Sequence, residues 1–530
     1  MRPVAVLGVG AAAPSLRMAA SEVGAAWGTG APKGTVALCD ADEDTLTLAW
    51  QAATDALRSA GIEPAAVSGL WWGTARPPFA EGPSLGFLAT ALGLGADAGG
   101  ALYAGSTHAG MEAVSGAWDA LAAGHAEVTL VVASDALVPG LGTAGETTTG
   151  AAAVALVLGA IPDPTAGRGA SGAPRTPVST DGTDSASPNG AAPPARLVAR
   201  ATRSAPVVDR YRGDGDTATG DVYDARLFRE EVFVPLLVEA GRALQGQGTS
   251  PDAWAVTDPD GRLGAAVAKR LGGPLAGGDV YPQVGDTGAA AALLALVSAG
   301  ADDDVGPRTV GAVGYGGGRA TAVAAELTRA LPGAAALAEV LGRGRRVGYV
   351  EALRVRSQLV PMADPIPMGV PPTGAAFVRG NAEMLGLEGA RCRACGVIST
   401  PPSIHPHCVG CGGSELDVVR LARRGTVQTF VVNQTMPPPF QAPLPLIVVD
   451  LDDGARLMVQ GSPADAATLG IGDRVTLALR RYALERGVPV YGYKAVRAAP
   501  SGDGPGGDGS FGDARLEEKG TAAPAKEGAT

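Results

Sequence analysis

The feature that most constrains this chain is a group of closely spaced cysteines in its C-terminal third. Two CxxC pairs, separated by twelve residues, are formed by Cys392, Cys395, Cys408 and Cys411. A CxxC turn presents two thiolates to one tetrahedral ion, and four thiolates close the coordination shell of that ion. The spacing therefore predicts a structural zinc site, one per chain. The neighbouring His405 and His407 are not expected to bind the ion, because four cysteines already fill its coordination shell. We place both histidines in a surface loop.

The fifth cysteine, Cys39, stands alone before the first long helical pattern and is interpreted as buried or incidental. Secreted disulfide proteins carry dispersed, even-numbered cysteines, so this usage favours a reducing compartment and a cytoplasmic protein. Residues 1–16 combine a basic residue with an apolar run, as a short signal peptide does. The same run is typical of a buried first strand, which is the interpretation we prefer.

Charge and hydropathy exclude two classes of partner. Lys and Arg number 42 against 53 Asp and Glu, which gives a net charge of −11 over 530 residues, and no basic stripe is present to neutralise phosphates. Nucleic acid is therefore not expected as a partner. No stretch stays apolar for the roughly 18 residues that a membrane span requires, so no membrane association is expected.

Apolar strand-like runs alternate with helical patterns over residues 1–160 and again over 206–330. This alternation is typical of βαβ units around a buried sheet, and it predicts an α/β protein with a duplicated core. Residues 161–205 are rich in Pro, Gly, Ser and Thr and are predicted to form a disordered loop insertion. A linker is predicted over 331–349.

The composition changes again towards the C-terminus. Residues 350–420 are predicted to form a helical lead-in and a zinc ribbon. Over 421–498, five short apolar runs separated by turn signals predict a small β-barrel, whose loop at 437–440 either lines a ligand channel or caps the barrel. Residues 499–530 are polar and rich in Gly and Pro, so they are predicted to be a disordered tail.

Specific motifs extend this interpretation. In the first 330 residues they lie at 39–45 (CDADEDT), 73–79 (GTARPPF), 101–106 (ALYAGS), 146–152 (ETTTGAA), 258–261 (DPDG), 285–287 (GDT) and 314–318 (GYGGG). This part resembles the thiolase superfamily, and most closely its 3-hydroxy-3-methylglutaryl-CoA (HMG-CoA) synthase branch. Residues 350–498 resemble the zinc-ribbon and OB-fold module that accompanies thiolase-like proteins as a separate subunit. The resemblance implies a thiolase-like αβαβα core, a homodimer, and a CoA or acyl-carrier thioester as ligand, with the OB-fold near its pantetheine arm.

The resemblance also implies where the catalytic groups should lie. The family uses a cysteine at a helix N-terminus, where the helix dipole lowers the thiol pKa. The matching position, before Tyr-Ala-Gly-Ser, is Leu102, which cannot form a thioester. The acid/base glutamate of the family aligns with Ala75, its histidine with Thr257 and its asparagine with Asp286. The three principal catalytic side chains are thus replaced while the scaffold glycines remain.

Other side chains near these positions are able to move protons. Tyr315, Asp286 and Tyr103 are the candidate catalytic residues, and Tyr315 is the best placed because three glycines follow it and permit close approach of a ligand. Asp258, beside Thr257, is a weaker candidate. His108 lies six residues after Leu102 on the same predicted helix, about 240° round it, and is expected to face away.

Two hypotheses of different classes follow. In the first, the chain is a non-catalytic, scaffolding component that binds an acyl-CoA and works with a thiolase-type partner protein in C–C bond formation. In the second, it is an aldolase or condensing enzyme that acts on a β-hydroxyacyl thioester without an acyl-cysteine. The sequence leaves both open.

Overall fold

The computed structural model describes residues 2–30, 33–161, 192–213, 216–220, 225–302, 306–359, 381–436, 442–485 and 488–498. The predicted tail at 499–530 and the loop at 437–440 lie outside these residues, as do residues 162–191 of the predicted insertion. No helix of the described residues is long and apolar enough to cross a membrane.

Residues 2–359 form the body of the molecule. Its described strands are β1 (Val4–Ala12), β2 (Leu16–Ala19), β3 (Thr35–Leu38), β4 (Gly69–Thr74), β5 (Gly99–Ala104), β6 (Val128–Ala136), β7 (Ala151–Ala160), β8 (Ala195–Ser204), β9 (Ala253–Val256), β10 (Arg308–Gly316), β11 (Arg319–Leu327) and β12 (Arg345–Arg346). Its described helices are α1 (Ala20–Trp27), α2 (Thr45–Ala60), α3 (Ser84–Leu92), α4 (Ala109–Ala123), α5 (Gly145–Thr148), α6 (Ala225–Phe228), α7 (Val234–Gln245), α8 (Leu263–Arg270), α9 (Val280–Val284), α10 (Ala291–Ala299), α11 (Leu337–Gly342) and α12 (Tyr349–Val355). Short 3-10 turns lie at Gly288–Ala290 and Ala334–Ala336, and a π-helical turn at Arg229–Phe233 joins α6 to α7.

The main strands of the body are hydrogen-bonded in the order β5-β4-β6-β7-β1-β8-β11-β10-β9. The start of β1 pairs with β7 on one side and β8 on the other, and so joins the two halves. In the first half β4 runs parallel to both β5 and β6. Strands β6 and β7 are buried almost throughout, as expected where helices cover both faces of a sheet.

Helices pack on this sheet in three layers. The largest core cluster joins α4 and α10 to strands of both halves, for example Val114 and Leu293 to Val154 and Val323. A second cluster covers the outer face of the first half with α2 and α3, and a third covers the second half with α7 and α8. The layers are therefore α, β, α, β, α, which confirms the predicted thiolase-like fold.

Two predicted boundaries were wrong. The insertion predicted over 161–205 includes β8, whose inward-facing residues are mainly alanine, so that composition did not distinguish this strand from a loop. The linker predicted over 331–349 is folded into the body: Leu331, Leu337 and Leu341 are buried in the largest cluster, and β12 pairs with β2.

The C-terminal module follows. Helix α13 (Asn381–Met384) precedes a three-stranded sheet of β13 (Glu388–Cys392), β14 (Ile398–Ser399) and β15 (Leu416–Arg420). The barrel consists of β16 (Arg424–Asn433), β17 (Leu444–Leu451), β18 (Arg456–Gln460), β19 (Arg474–Glu485) and β20 (Val488–Arg497), in the order β18-β17-β16-β19-β20. A bridge between Gly461 and Ala495 brings the two edges of this sheet together, which agrees with the predicted barrel.

The barrel packs directly on α2 and α3 of the body. Tyr493 of β20 lies edge-to-face on Trp50, with 5.8 Å between ring centroids, and Arg423 stacks over the same indole at 4.8 Å. Arg423 also donates to the carbonyl of Ala91 near the end of α3 (3.1 Å), where a cation is favoured by the helix dipole. The barrel and the first half of the body therefore share one apolar core.

Candidate functional site

The turn at the N-terminus of α4 is closely packed against both halves of the body. A Cβ at Gly316, at the end of β10, would overlap Thr107 Oγ1 and the backbone nitrogen of His108. A Cβ at Gly73, at the end of β4, would overlap the carbonyl of Ala109. The ends of β4 and β10 therefore converge on this helix start from the two halves of the molecule.

Leu102 does not lie at this helix start. It lies within β5 opposite Trp72, and its side chain packs in the cluster formed with α2 and α3, on the face of the sheet that is turned away from α4. The prediction that Leu102 begins the helix was wrong, because β5 extends to Ala104 and α4 begins only at Ala109. The turn between them carries Ser106, Thr107 and His108.

His108 is the N-cap residue of α4 and is 1% exposed, so its predicted place on a helix begun by Leu102 was also wrong. Its backbone N–H donates to Ser106 Oγ (3.1 Å), and its Nε2 lies 2.8 Å from Thr321 Oγ1. Its Nδ1 lies 3.5 Å from a carboxylate oxygen of Glu112, which also pairs with Arg319. The contact with Thr321 orients the imidazole, and the proximity of His108 lowers the pKa of Glu112.

Tyr315 lies beside this turn, since its carbonyl accepts a hydrogen bond from Thr107 Oγ1 (3.0 Å). The phenol is 3% exposed, and its ring packs edge-to-face on Phe233 at 4.8 Å and Phe228 at 6.0 Å. Burial, together with the nearby carboxylate of Asp209, raises the pKa of Tyr315 well above its usual value. The phenol is therefore held protonated at neutral pH.

Asp286 is 2% exposed and forms an ion pair with Arg210 at 2.9 Å. Its Oδ1 accepts the N–H of Gly288 (3.0 Å). Asp209, next to Arg210, accepts the N–H of Gly317 at 3.3 Å. The dipeptide Asp209-Arg210 thus contacts both Gly317, two residues after Tyr315, and Asp286. No local sequence pattern marks this dipeptide, so it was not predicted.

Tyr103 is not brought to the same place. Its hydroxyl lies against Gly116, where a Cβ would fall 2.5 Å from the phenol oxygen. That glycine is two turns into α4, about 12 Å along the helix from His108. Burial, Glu112 and Asp119 raise the pKa of Tyr103. The two phenols therefore lie in different places, that of Tyr103 against α4 and that of Tyr315 against Phe228 and Phe233.

The remaining predicted positions have backbone or capping roles. Thr257 donates its N–H to the carbonyl of Val313 (3.0 Å), at the end of β9. Asp258 accepts the N–H groups of Gly261 and Gly264, each at 2.9 Å, and so caps α8 rather than facing a ligand. Ala75 donates its N–H to Asp135 at 2.8 Å.

Asp135 is a buried carboxylate that the sequence analysis did not identify. It is fully buried at the end of β6 and accepts hydrogen bonds from Thr74 Oγ1 (2.9 Å), Ala75 N (2.8 Å) and Ala289 N (2.7 Å). Burial raises its pKa to about 6 in spite of these donors. Asp135 therefore ties the end of β4 to the 3-10 turn of the second half.

The predicted metal ligands do come together. The four cysteine sulfur atoms lie within 4.8 Å of one another, and among the described residues this is the group of metal-ligating side chains that could hold an ion. Both CxxC turns end in a glycine of positive φ, Gly396 at 74° and Gly412 at 75°, whose N–H donates to the carbonyl of the first cysteine of its own turn. The backbone N–H groups of Cys411 and Gly410 lower the pKa of the Cys408 thiol.

Cys39 lies apart from both sites. Its side chain packs in the cluster that contains α2, and burial together with Glu43 raises its thiol pKa well above the usual value. A thiol of raised pKa is a poor nucleophile, which agrees with the structural interpretation of this residue.

Comparison with known proteins gives two kinds of likeness. Residues 418–480 match a family model described as the C-terminal OB-fold domain of ChsH2. The hydroxymethylglutaryl-CoA synthase of Pyrococcus furiosus is 32% identical over 160 residues, which are 30% of this chain and 46% of that protein. The enzyme of the same name from Methanococcus maripaludis is 30% identical over 167 residues. The matched stretch thus spans about half the length of these curated relatives.

Solved structures support the same fold. MvaS in complex with 3-hydroxy-3-methylglutaryl coenzyme A superposes with a TM-score of 0.55 at 19% identity, covering 69% of this chain and 94% of that one. An HMG-CoA synthase complexed with CoA gives 0.54 at 14% identity, covering 69% and 92%. The HMG synthase of the curacin pathway, complexed with an acetyl donor acyl-carrier protein, gives 0.54 at 16% identity, covering 67% and 88%. The chain therefore joins an HMG-CoA synthase-like thiolase fold to an OB-fold module.

Proposed function

We propose that the chain binds an acyl-CoA or acyl-carrier thioester through its thiolase-like body, without forming an acyl-cysteine, and works with a thiolase-type partner protein. The observation that carries this proposal is the closely packed turn before α4, which carries Ser106, Thr107 and His108 and no cysteine. The CoA and carrier-protein complexes of the structural neighbours support a thioester as the ligand.

The test is to incubate the purified full chain, alone, with a panel of acyl-CoAs and to measure binding, turnover and the intact mass of the protein. We expect binding without turnover and without an acyl adduct. Turnover in the absence of any partner would overturn the scaffolding role. An adduct on Ser106 or Thr107 would show that a hydroxyl replaces the thiol.

A second function is favoured by one specific observation, namely the buried Tyr315 beside Asp209 and the paired Asp286. These groups suit cleavage of a β-hydroxyacyl thioester. Asp286 would take the β-hydroxyl proton, the Cα–Cβ bond would break to give a carbonyl product and an enolate, and Tyr315 would protonate the enolate carbon. The products are a shorter acyl thioester and an aldehyde or ketone.

Variants of the two groups test this second function. Tyr315→Phe and Asp286→Asn should each lower the rate of cleavage by roughly 100-fold or more, as loss of a proton-transfer group does. Tyr103→Phe is the matched control, because its hydroxyl lies two turns along α4, and it should keep the wild-type rate. Full activity of both Tyr315→Phe and Asp286→Asn would refute the assignment.

We also propose a homodimer, one structural zinc per chain and a cytoplasmic location. The edge strand β5 pairs with β4 on one side only among the described strands, and a homodimer that continues the sheet through β5 would cover the other side. The four cysteines would hold one structural zinc, which stabilises the ribbon and takes no part in chemistry. The cysteine usage supports a cytoplasmic location.

A further inference from the structure

Residues 75–83, which we term the site loop, connect the end of β4 to α3. Their first residues belong to the candidate site: Ala75 is held by Asp135, and Arg76 Nη1 donates to the carbonyl of Thr217 at 2.6 Å. The site loop therefore borders the region in which the thioester would lie.

The middle of the site loop reaches a different part of the molecule. Phe79 packs edge-to-face on Phe87 of α3, with centroids 5.4 Å apart, and on Tyr491 of the barrel at 6.4 Å. Tyr491 also packs on Phe87 at 6.3 Å, so the three rings form a closed triangle. One corner of this triangle belongs to the barrel and one to the site loop.

Tyr491 is itself fixed from the body side. It is 2% exposed, and its hydroxyl donates to Asp44 Oδ2 at 2.6 Å. The other oxygen of Asp44 accepts the N–H groups of Leu46 and Thr47, each at 3.0 Å, and so caps α2. The Tyr491 ring is therefore held in one orientation against Phe79.

Further contacts hold strands β19 and β20 against the loop that precedes α2. Lys494 Nζ lies 3.3 Å from Asp42 Oδ2, and both side chains are almost fully buried. The N–H of Arg481 donates to the carbonyl of Asp42 at 2.8 Å. The position of Tyr491 relative to the body is thus fixed by several contacts on two barrel strands.

We propose that Tyr491 is a positioning residue of the candidate site, through which the docked barrel holds the site loop in place. The site is then complete only when the barrel is docked. This coupling goes beyond the proposed function, since it concerns the order of the loop whether or not a thioester binds.

Limited proteolysis of the full chain with chymotrypsin tests the coupling, because cleavage after Phe79 requires the site loop to leave the aromatic triangle. In Tyr491→Ala, which removes two ring contacts, the rate of this cleavage should rise roughly tenfold or more. Tyr491→Phe is the matched control: it keeps the ring, loses only the bond to Asp44, and should restore protection to within about threefold of wild type. Mass spectrometry of the fragment ending at Phe79 gives the rate.

Tyr491→Leu, which retains apolar volume, replaces Tyr491→Ala if the latter does not fold. An unchanged cleavage rate in a folded Tyr491→Ala or Tyr491→Leu protein would overturn the proposal, as would equal rates for Tyr491→Phe and Tyr491→Ala. Affinity for an acyl-CoA is measured in parallel and should fall in the same variants. If wild type binds no acyl-CoA, the proposed function fails, while proteolysis still decides the coupling.

Discussion

The buried carboxylate of Asp135 makes the stability of the body depend on pH in a predictable direction. Burial raises its pKa from 3.8 to about 6 in the folded protein. The folded state therefore binds this proton more tightly than the unfolded state does, and the resulting stabilisation is full below the unfolded pKa and is lost as the pH rises through the folded value. A difference of about two pKa units corresponds to about 3 kcal/mol of unfolding free energy.

Asp135→Asn removes this titration, because the amide stays neutral. The substitution also weakens one of the three hydrogen bonds, which gives an offset that does not vary with pH. The unfolding free energy of wild type minus that of Asp135→Asn should therefore fall by about 2 kcal/mol between about pH 4 and about pH 7, since part of the effect is already lost at pH 4. Denaturant unfolding followed by tryptophan fluorescence measures it, since Trp72 donates to Ser134 beside Asp135 at 2.8 Å. A difference that stays constant within about 0.5 kcal/mol over this pH range would refute the reasoning. Glu63→Gln, which changes an exposed carboxyl group, is the control.

Three further predictions follow from the packing and the metal cluster. Lys494→Met leaves Asp42 buried without its cation, so it should lower the unfolding free energy by about 3–5 kcal/mol. Adding Asp42→Asn to the same chain should recover most of this loss, as measured by a denaturant double-mutant cycle. No recovery would contradict the buried pair. Cys408→Ser should abolish metal binding, whereas wild type should hold one zinc per chain by elemental analysis; a metal-free wild type, freshly purified, would count against the zinc site. Gly316→Ala should destabilise the body by about 1–3 kcal/mol, because the added methyl group overlaps the turn before α4. Gly86→Ala, on an open helix face, is the control and should not destabilise it. Equal melting temperatures for the two variants would argue against the close approach at Gly316.

Much of the architecture follows from local sequence patterns. Alternating apolar runs predicted the layered α/β body and the small barrel, and both are confirmed because each pattern reports which face of a strand or helix is buried. The prediction failed at β8 and at 331–349, where inward-facing alanines and short helices carry little hydrophobic signal. Tertiary packing, rather than local preference, orders those segments.

The candidate site was predicted less completely than the fold. Tyr315 and Asp286 were identified from motifs. In the structure the carbonyl of Tyr315 contacts Thr107 in the turn before α4, and Asp286 pairs with Arg210. Leu102 and Tyr103 were assigned to the same place, but neighbouring residues of a strand point to opposite faces of the sheet. An error of a few residues in the end of β5 was therefore enough to move the assigned nucleophile position from the helix start to the far face.

The sequence by itself determined the cysteine cluster, because the ligands of each knuckle lie within one turn and their spacing sets the geometry. It also determined that no cysteine lies between Cys39 and Cys392. Only the tertiary structure decided which residues meet across the chain. Asp209 reaches Gly317 over 108 residues, and Tyr491 reaches Asp44 over 447. Contacts of this kind depend on how whole layers pack, and neither partner carries a local signal of the other.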